Sequence, residues 1–470
     1  MSADRRKILV MMCFALATVV SAVSSLNVAL PDLARDTGAT PTELQWIVDA
    51  YALVFAGLLL PAGALGDRLG RRPVLLAGLA IFGIGAAIAT TVSDPSTLIA
   101  IRAFMGLGAA LIMPTTLSII TANFPAGERD RAVGAWAGVA GGSALLGLLV
   151  SGAILEVASW SWVFGLSVVL ALIAFVGSVR VVPERDVHEP KALDPVGGAL
   201  SAVSLSALVW AFIEGPGRGW GDSLVVGGFA GAVLLGVAFV AWELRRPEPM
   251  LDPRLFKLRG FTSGSLSIFV QFFAAFGLIF VLLQFLQLVL GYSPLEAGAA
   301  LAPMALVMIA VAPRVPRIVE RVGVRPVGPT GLALMALGLF VLSTMDAGSS
   351  YWHLLAGGLV LGLGMALATT PATTAIVESL PDEKQGVASA VNDASREVGG
   401  ALGIAVLGSV LADHVGQLGP GMDLAAFVDG FSAALLAGAA VLIVGAVVVA
   451  LRAPRHRHVT RPAAETALAK

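Results

Sequence analysis

The chain has 470 residues, of which 57% are hydrophobic and only 13% are charged, and its formal net charge is −1. This composition is too apolar for an ordinary globular domain and predicts a protein whose surroundings are membrane lipid. The balanced charge gives no reason to expect nucleic acid as a partner, and the single cysteine, Cys13, excludes an intramolecular disulfide and a cysteine-based metal site.

Apolar runs about as long as a bilayer is thick recur from Ile8 to Leu451 and predict fourteen transmembrane helices in an all-α integral membrane fold. The first run follows a charged amino terminus but has no evident small-residue cleavage site, so we expect it to be retained as helix 1. In chain order, the predicted spans are 8–30, 44–65, 73–92, 97–121, 131–155, 160–181, 195–213, 223–243, 262–289, 296–314, 326–345, 352–377, 387–411 and 430–451.

The basic residues are distributed unevenly between the two sides of the membrane. If the amino terminus is cytoplasmic, most of the 30 Lys and Arg residues fall on cytoplasmic loops and tails. Cytoplasmic loops of membrane proteins carry such an excess. We therefore expect both termini in the cytoplasm and the chain in the inner (cytoplasmic) membrane.

An internal repeat predicts the arrangement of the helices. The segment Asp67–Pro73 is echoed by Glu320–Pro326, and Pro114 with its following threonines is echoed at Pro371. The two copies lie about 255 residues apart, which is longer than six helices require, so two extra helices are expected between two six-helix halves. The predicted 6+2+6 domains are a first half at 1–193, the extra helices and a cytoplasmic linker at 194–260, a second half at 261–455 and a tail at 456–470.

Several motifs resemble those of a known transporter group. The chain resembles the major facilitator superfamily and, within it, the fourteen-helix drug/proton antiporter (multidrug efflux) family, over nearly its whole length. The resemblance implies two six-helix halves with a substrate site near the midplane, a proton gradient as the energy source and no cofactor. The motifs are Gly66-Asp67-Arg68-Leu69-Gly70-Arg71-Arg72, Leu44–Tyr51, Arg102 with Gly106-Leu107-Gly108, and Asn392-Asp393 with Arg396 and Gly399-Gly400.

The loop between predicted helices 2 and 3 is a candidate gate. The resemblance implies that Asp67 faces the start of the helix predicted at 387–411, where free N–H groups favour an anion. Arg71 and Arg72 are then expected to pair with Glu128, Asp130 or Glu383. The alternative is a basic loop that only sets the topology. The candidate gating residues are Asp67, Arg68, Arg71, Arg72 and Asp130.

Four charged residues lie inside predicted membrane helices and are candidates for proton coupling: Asp49, Arg102, Asp393 and Arg396. Each costs about 2.5–3.5 kcal/mol on insertion scales, so each needs a partner or water. Asp393 and Arg396 share one helical face and form either a self-neutralising pair or a site where Asp393 alternates between a proton and a salt bridge. Asp49 either snorkels to the interface or admits protons. The resembled family ties the arginine that matches Arg102 to proton transfer.

Three positions depart from the resembled pattern. In the antiporter signature of helix 5, Leu148 stands where the pattern has proline, and Ser151 where it has glycine. Helix 1 of the family carries an acid at the place of Ala22. These departures leave proton antiport less firmly predicted than the fold.

Polar and aromatic residues predict a substrate cavity for lipophilic small molecules such as drugs or antibiotics. Five phenylalanines between 269 and 280 share one helical face, and their rings hold flat apolar or cationic molecules if they line a cavity. A packing or lipid-facing stripe is the alternative. The candidate cavity residues are Asn27, Trp136, Phe272, Phe276, Gln284 and Asn392.

An enzyme is not expected. The five histidines are scattered without an HExxH motif, and no lysine follows a glycine, which excludes a phosphate-binding Walker loop. The predicted function is therefore a proton-coupled exporter, with a small-molecule substrate, protons and membrane lipid as partners and a monomer as the expected state. A facilitator or importer of a metabolite, or a non-transporting scaffold or sensor, remains an alternative. The two extra helices are expected to pack outside the path.

Overall fold

The computed structural model describes residues 3–184, 194–380, 385–415 and 422–453, and within these ranges the fold is entirely helical, without a strand. The α-helices are α1 Ala3–Thr37, α2 Pro41–Leu69, α3 Arg71–Ala89, α4 Pro95–Asn123, α5 Ala126–Leu155, α6 Trp162–Val181, α7 Pro195–Arg218, α8 Ser223–Glu243, α9 Arg259–Leu288, α10 Pro294–Ala300, α11 Ala302–Val311, α12 Val315–Val322, α13 Val324–Ser343, α14 Tyr351–Glu378, α15 Gln385–His414 and α16 Leu424–Arg452. Two 3-10 segments, Pro253–Lys257 and Ala312–Arg314, precede α9 and α12.

Thirteen helical spans in the described ranges are long and apolar enough to cross a membrane, so the chain is a multi-pass membrane protein. The predicted span 131–155 falls within α5, whose described apolar part, Gly142–Leu155, is shorter than a full crossing. The count of fourteen and the 6+2+6 division therefore stay predictions.

The predicted helix at 296–314 differs from the structure. This stretch is divided into α10, α11, a 3-10 turn and α12, and the helical course continues to Val322. Prolines accompany the divisions, because Pro303, Pro313 and Pro316 lack an N–H and each stands in the first turn of its segment, where proline is tolerated best.

The sequence repeat is matched by repeated local geometry. Helices α3 and α4 cross where a Cβ added to Gly78 would lie 2.9 Å from the carbonyl oxygen of Gly108. Helices α13 and α14 cross in the same way, because a Cβ on Gly331 would lie 2.7 Å from the carbonyl oxygen of Gly364. Small residues permit such close approach in membranes. The turns that precede α3 and α13 also correspond, since each uses a glycine with positive φ, 96° at Gly70 and 88° at Gly323.

The chain forms two compact units. The first consists mainly of Met1–Ser206 with Leu286–Ala299, and the second mainly of Ala207–Phe285, Ala300–Gly416 and the chain from Gly421 onward. The expected domain boundaries at 193, 260 and 455 stay predictions, and the expected tail at 456–470 lies outside the described residues.

Helix α8, the second of the two helices predicted to be extra, has the smallest buried share of the thirteen candidate spans in the described ranges. Its apolar side chains are largely exposed, as lipid-facing side chains are, for example Leu234 and Val237. This exposure agrees with a place at the periphery of the second unit.

Candidate functional site

The charged cluster of the second unit lies on α15. The Nη2 atom of Arg396 lies 3.3 Å from Oδ1 of Asp393, as the three-residue spacing predicted. The Nε atom of the same arginine lies 3.3 Å from Oε1 of Glu397, a residue that the sequence analysis did not select. Glu397 is buried. The guanidinium of Arg396 therefore forms ion pairs with two carboxylates, those of Asp393 and Glu397. The missed signal was the spacing of four residues between Asp393 and Glu397, which places both acids on one helical face.

Two aromatic side chains of α9 adjoin this cluster. The guanidinium carbon of Arg396 lies 5.7 Å from the ring centroid of Phe272, within the range of a cation–π contact. The rings of Phe272 and Phe276 meet edge to face at 5.6 Å. Both rings are half-buried, whereas Phe273 and Phe280 are buried in the core. The predicted phenylalanine stripe thus divides into packing residues and two residues beside the charges.

Glycines in α15 let it approach α9 closely. A Cβ added to Gly399 or Gly403 would collide with the backbone carbonyl of Phe269 or Phe273, respectively. A side chain on Gly400 would strike the ring of Phe276. The aromatic residues of α9 and the charged residues of α15 are therefore held together by the absence of side chains at three positions.

Polar side chains connect α9, α14 and α15 near the cluster. The hydroxyl of Thr369 donates to Oε1 of Gln271 at 2.7 Å, and the hydroxyl of Thr373 donates to Oδ1 of Asn392 at 3.1 Å. The predicted cavity residue Asn392 is thus joined to α14. Gln284 is not brought to this group, because its buried amide donates to the carbonyl of Phe280 in its own helix, about 18 Å along α9 from Phe272.

A second charged group lies between α2 and α4 of the first unit. Arg102 is 1% exposed, and its Nε donates to the carbonyl oxygen of Ile47 at 3.0 Å. Its guanidinium carbon lies 4.3 Å from the ring centroid of Tyr51, whose hydroxyl donates to Val19 of α1 at 3.3 Å. Gly106, one turn further on, gives Tyr51 the space to approach α4.

Asp49 is fully buried, and neither of its carboxylate oxygens has a hydrogen-bond partner among the described residues. The two terminal nitrogens of Arg102 likewise lack a partner there. The alternative that Asp49 snorkels to the membrane interface does not agree with this burial. The structure therefore places two buried groups in the same pair of packed helices without an ion pair between them.

The two candidate cavity residues of the first unit, Asn27 and Trp136, form hydrogen bonds with other residues than Asp49 and Arg102. The indole N–H of Trp136 donates to the hydroxyl of Thr116 at 3.2 Å, and the amide of Asn27 donates to the carbonyl of Val23 at 2.8 Å. Both side chains are buried, and the Oδ1 atom of Asn27 has no hydrogen-bond partner in the described ranges.

The positions that depart from the antiporter signature lie where α1 packs on α5. The hydroxyl of Ser25 donates to the carbonyl of Gly147 at 3.3 Å, and the backbone of Ser21 lies against the same glycine. Ala22, Leu148 and Ser151 are all buried. Ala22 therefore places a methyl group where the resembled family has an acid.

The candidate gate is described in part. Arg72 forms an ion pair with Glu184 and donates to the carbonyl of Val179 at 2.7 Å, whereas Arg71 donates to the carbonyl of Ser118 at 2.9 Å. Glu184 was not among the partners that the sequence analysis named. Glu128, which was, pairs with Arg5 at 3.2 Å. Arg68 is exposed, and the side chains of Asp67, Asp130 and Glu383 lie outside the described part of the chain.

Comparison with known proteins identifies the family. The sequence model of the Major Facilitator Superfamily matches residues 12–313 and 264–469. The tetracenomycin C resistance and export protein of Streptomyces glaucescens is 34% identical over 420 residues, covering 87% of this chain and 77% of that protein. The multidrug efflux pump LfrA of Mycolicibacterium smegmatis is 37% identical over 82% of this chain and 76% of its own.

A third relative and two solved structures extend the comparison. The methyl viologen resistance protein SmvA of Salmonella typhimurium is 34% identical over 82% of this chain and 78% of its own. The peptide transporter PepTSo has a TM-score of 0.69 at 18% identity, covering 95% of this chain and 97% of its own. A bacterial homologue of the human lysosomal transporter Spinster has a TM-score of 0.68 at 16% identity, covering 96% of this chain and 97% of its own. At these identities, the structural likeness shows the fold alone.

Proposed function

Because the chain belongs to the Major Facilitator Superfamily, whose members are transporters and not enzymes, we propose that it exports lipophilic small molecules, such as drugs or antibiotics, in exchange for protons. The printed names of its relatives describe resistance, efflux and export. They support drug export. The proposal of proton coupling rests on one observation, the pairing of a single arginine with two acids on α15.

The charges of this cluster do not balance. If Asp393 and Glu397 are both ionised, Arg396 neutralises only one of them, and an uncompensated charge within a membrane helix costs about 2.5–3.5 kcal/mol on insertion scales. One proton shared by the two acids removes this cost. A cationic substrate beside the cluster replaces that proton as the second positive charge, which makes proton release and substrate binding competitive.

Aromatic rings at the same place suit a substrate of this kind. Phe272 lies beside Arg396 and meets the ring of Phe276, and the half-buried faces of such rings attract flat apolar and cationic molecules without fixing one geometry. With Asn392 adjacent, they form the proposed substrate contacts in the second unit. Asn27 and Trp136 are proposed contacts in the first unit.

Asp49 and Arg102 form a second proposed proton site. A buried carboxyl without a hydrogen-bond donor is more stable as the neutral acid than as an anion. The guanidinium of Arg102, held by Ile47 and Tyr51 at its Nε and its face, keeps two terminal nitrogens available to receive a carboxylate when the helices rearrange. This movement would release the proton of Asp49.

We also propose that the arginines that follow α2 act in a cytoplasmic gate, with both termini on the same side of the inner membrane. The pair formed by Arg72 and Glu184 ties the start of α3 to the end of α6. Such a charge latch stabilises one access state and breaks in the other. Arg68, Asp67 and Asp130 are assigned to this gate on the motif alone.

Purified protein in liposomes tests the proposal. Ethidium, a flat lipophilic cation, serves as the probe, and its transport is followed with and without an imposed pH gradient. Accumulation that requires the gradient, together with proton movement in the opposite direction, supports antiport. Ethidium transport that is indifferent to the gradient contradicts proton coupling, and transport of polar metabolites but no lipophilic cation contradicts drug export.

A further inference from the structure

The segment that joins α8 to α9, Leu244–Arg259, forms a short strap with two different faces. It contains the 3-10 turn Pro253–Lys257, which Asp252 begins by accepting a hydrogen bond from the backbone N–H of Arg254 at 2.9 Å. Both helices that flank the strap have the length and composition of membrane spans. The strap therefore lies at a membrane surface.

The inner face of the strap is fixed to the second unit. Leu255 is 1% exposed and packs in a hydrophobic cluster with residues of three helices, namely Phe261 and Ile268 of α9, Ala372 and Ile376 of α14, and Ala388 and Val391 of α15. Phe272, whose ring lies under Arg396, packs against the same cluster. The strap is thus in continuous contact with the proposed coupling site.

Hydrogen bonds hold the strap at both ends. The buried carboxylate of Glu243 accepts from the backbone N–H of Leu251 at 3.3 Å, and the guanidinium of Arg254 donates to the carbonyl of Leu244 at 3.1 Å. The hydroxyl of Thr262 donates to the carbonyl of Phe256. These bonds fix which side chains turn outward.

The outer face of the strap is basic and partly apolar. From Leu244 to Arg259 the sequence holds five cationic residues and two acids. Arg245, Arg254, Lys257 and Arg259 are exposed, together with Phe256 at 39% and Leu244 at 40%. Of these cations, Arg254 has its Nη1 atom 3.9 Å from Oδ1 of Asp252. The other three, Arg245, Lys257 and Arg259, form no ion pair with the described residues.

We infer that the outer face of the strap binds the headgroups of anionic phospholipids. The location supplies the partner, since a segment between two membrane helices meets headgroups directly, and each Lys or Arg near an anionic surface favours binding. The exposed ring of Phe256 and the side chain of Leu244 suit the boundary between headgroups and acyl chains. Bound lipid would hold the strap, and with it the ends of α14 and α15, against α9.

The test uses the full-length protein stripped of lipid and titrated with phosphatidylglycerol or phosphatidylcholine, with bound lipid counted by native mass spectrometry. The wild type should bind phosphatidylglycerol preferentially. In R245Q/K257Q, whose altered side chains are exposed, this preference should fall about tenfold or more. The matched control R180Q/R317Q removes two exposed cations elsewhere and should keep most of it.

A second measurement locates the bound lipid. In nanodiscs that contain phosphatidylglycerol, backbone hydrogen exchange over residues 244–262 should be slower than in phosphatidylcholine alone, and added salt should reduce this difference. Equal exchange in the two lipids, or an equal loss of preference in the control variant, would overturn the inference. Neither measurement involves drug transport, so the lipid site and the proposed export function are tested independently.

Discussion

The hydroxyl of Ser409 on α15 lies 2.6 Å from the backbone carbonyl oxygen of Phe212 on α7, to which it donates in a hydrogen bond shared with the carbonyl of Ala405 in its own helix. Four residues after Phe212, Pro216 lies inside α7 and has no N–H to offer this carbonyl. Ser409 therefore supplies from α15 the donor that the proline removed. Helix α7, the first of the two helices predicted to be extra, is attached in this way to the helix that carries Asp393, Arg396 and Glu397.

Replacing Ser409 should reveal this attachment. Ser409→Ala leaves the carbonyl of Phe212 without its donor, and a buried unsatisfied group costs about 1–3 kcal/mol. Thermal unfolding of the purified protein should show the loss, whereas Ser409→Thr keeps a hydroxyl and should be milder. In a Pro216→Ala background, the helix supplies its own N–H, so S409A should cost much less there. An equal cost in both backgrounds would show that the hydroxyl does not replace the missing N–H.

Proton-driven accumulation of substrate should depend on the two acids of α15, Asp393 and Glu397. Asp393→Asn and Glu397→Gln each retain size and hydrogen bonding while removing one titrating group, so each variant should insert and fold. We expect Asp393→Asn to lose proton-driven accumulation, with passive substrate exchange retained, and Glu397→Gln to weaken accumulation. The comparison variant is Asp49→Asn. If Asp393→Asn accumulates the probe like the wild type and Asp49→Asn does not, the coupling site lies in α2 instead.

The close crossing of α9 and α15 should be sensitive to a single methyl group. Gly403→Ala places a Cβ against the carbonyl of Phe273, and relief requires the two helices to separate. Overpacking of this kind costs about 1–3 kcal/mol, which should lower the thermal midpoint. Gly231→Ala on α8 is the matched control, because an added Cβ there meets no atom within 4 Å. A neutral Gly403→Ala would mean that the crossing is looser than described.

The contribution of the Asp94 cap at the start of α4 to thermal stability should depend on pH. Asp94 caps this helix, and hydrogen bonds from the hydroxyls of Ser96 and Thr97 and from the backbone N–H of Thr97 lower the pKa of its carboxyl. Because the pKa of Asp94 is lower in the folded state, its stabilising contribution is fully present above its pKa in the unfolded state, about 4. This contribution is lost as the pH falls through its pKa in the folded state. The difference in thermal midpoint between wild type and Asp94→Asn should therefore shrink at acidic pH. A constant difference from neutral to acidic pH would contradict this role.

The sequence predicted most of the helices because the hydrophobic length of a membrane span is a strong and local signal. It also predicted the pairing of Asp393 with Arg396, since three residues along a helix determine a shared face. It did not identify Glu184 as the partner of Arg72, because 112 residues separate them and only the packing of α3 on α6 brings them together. Gln284 was selected for its polarity, yet its amide is satisfied by its own helix.

The repeated helix crossings have a consequence for which side chains the two copies of the sequence repeat can carry. A Cβ on Gly106 would lie 2.5 Å from the carbonyl oxygen of Tyr51, and a Cβ on Gly362 would lie 2.5 Å from that of Met304, so both copies of the sequence repeat contain the same close helix crossing. One turn before these glycines, the first copy has Arg102 and the second has Gly358, which borders a small apolar space. The two copies thus share their backbone packing at this crossing, whereas only the first has a guanidinium one turn before it, so the crossing accommodates either an arginine or a glycine at this position.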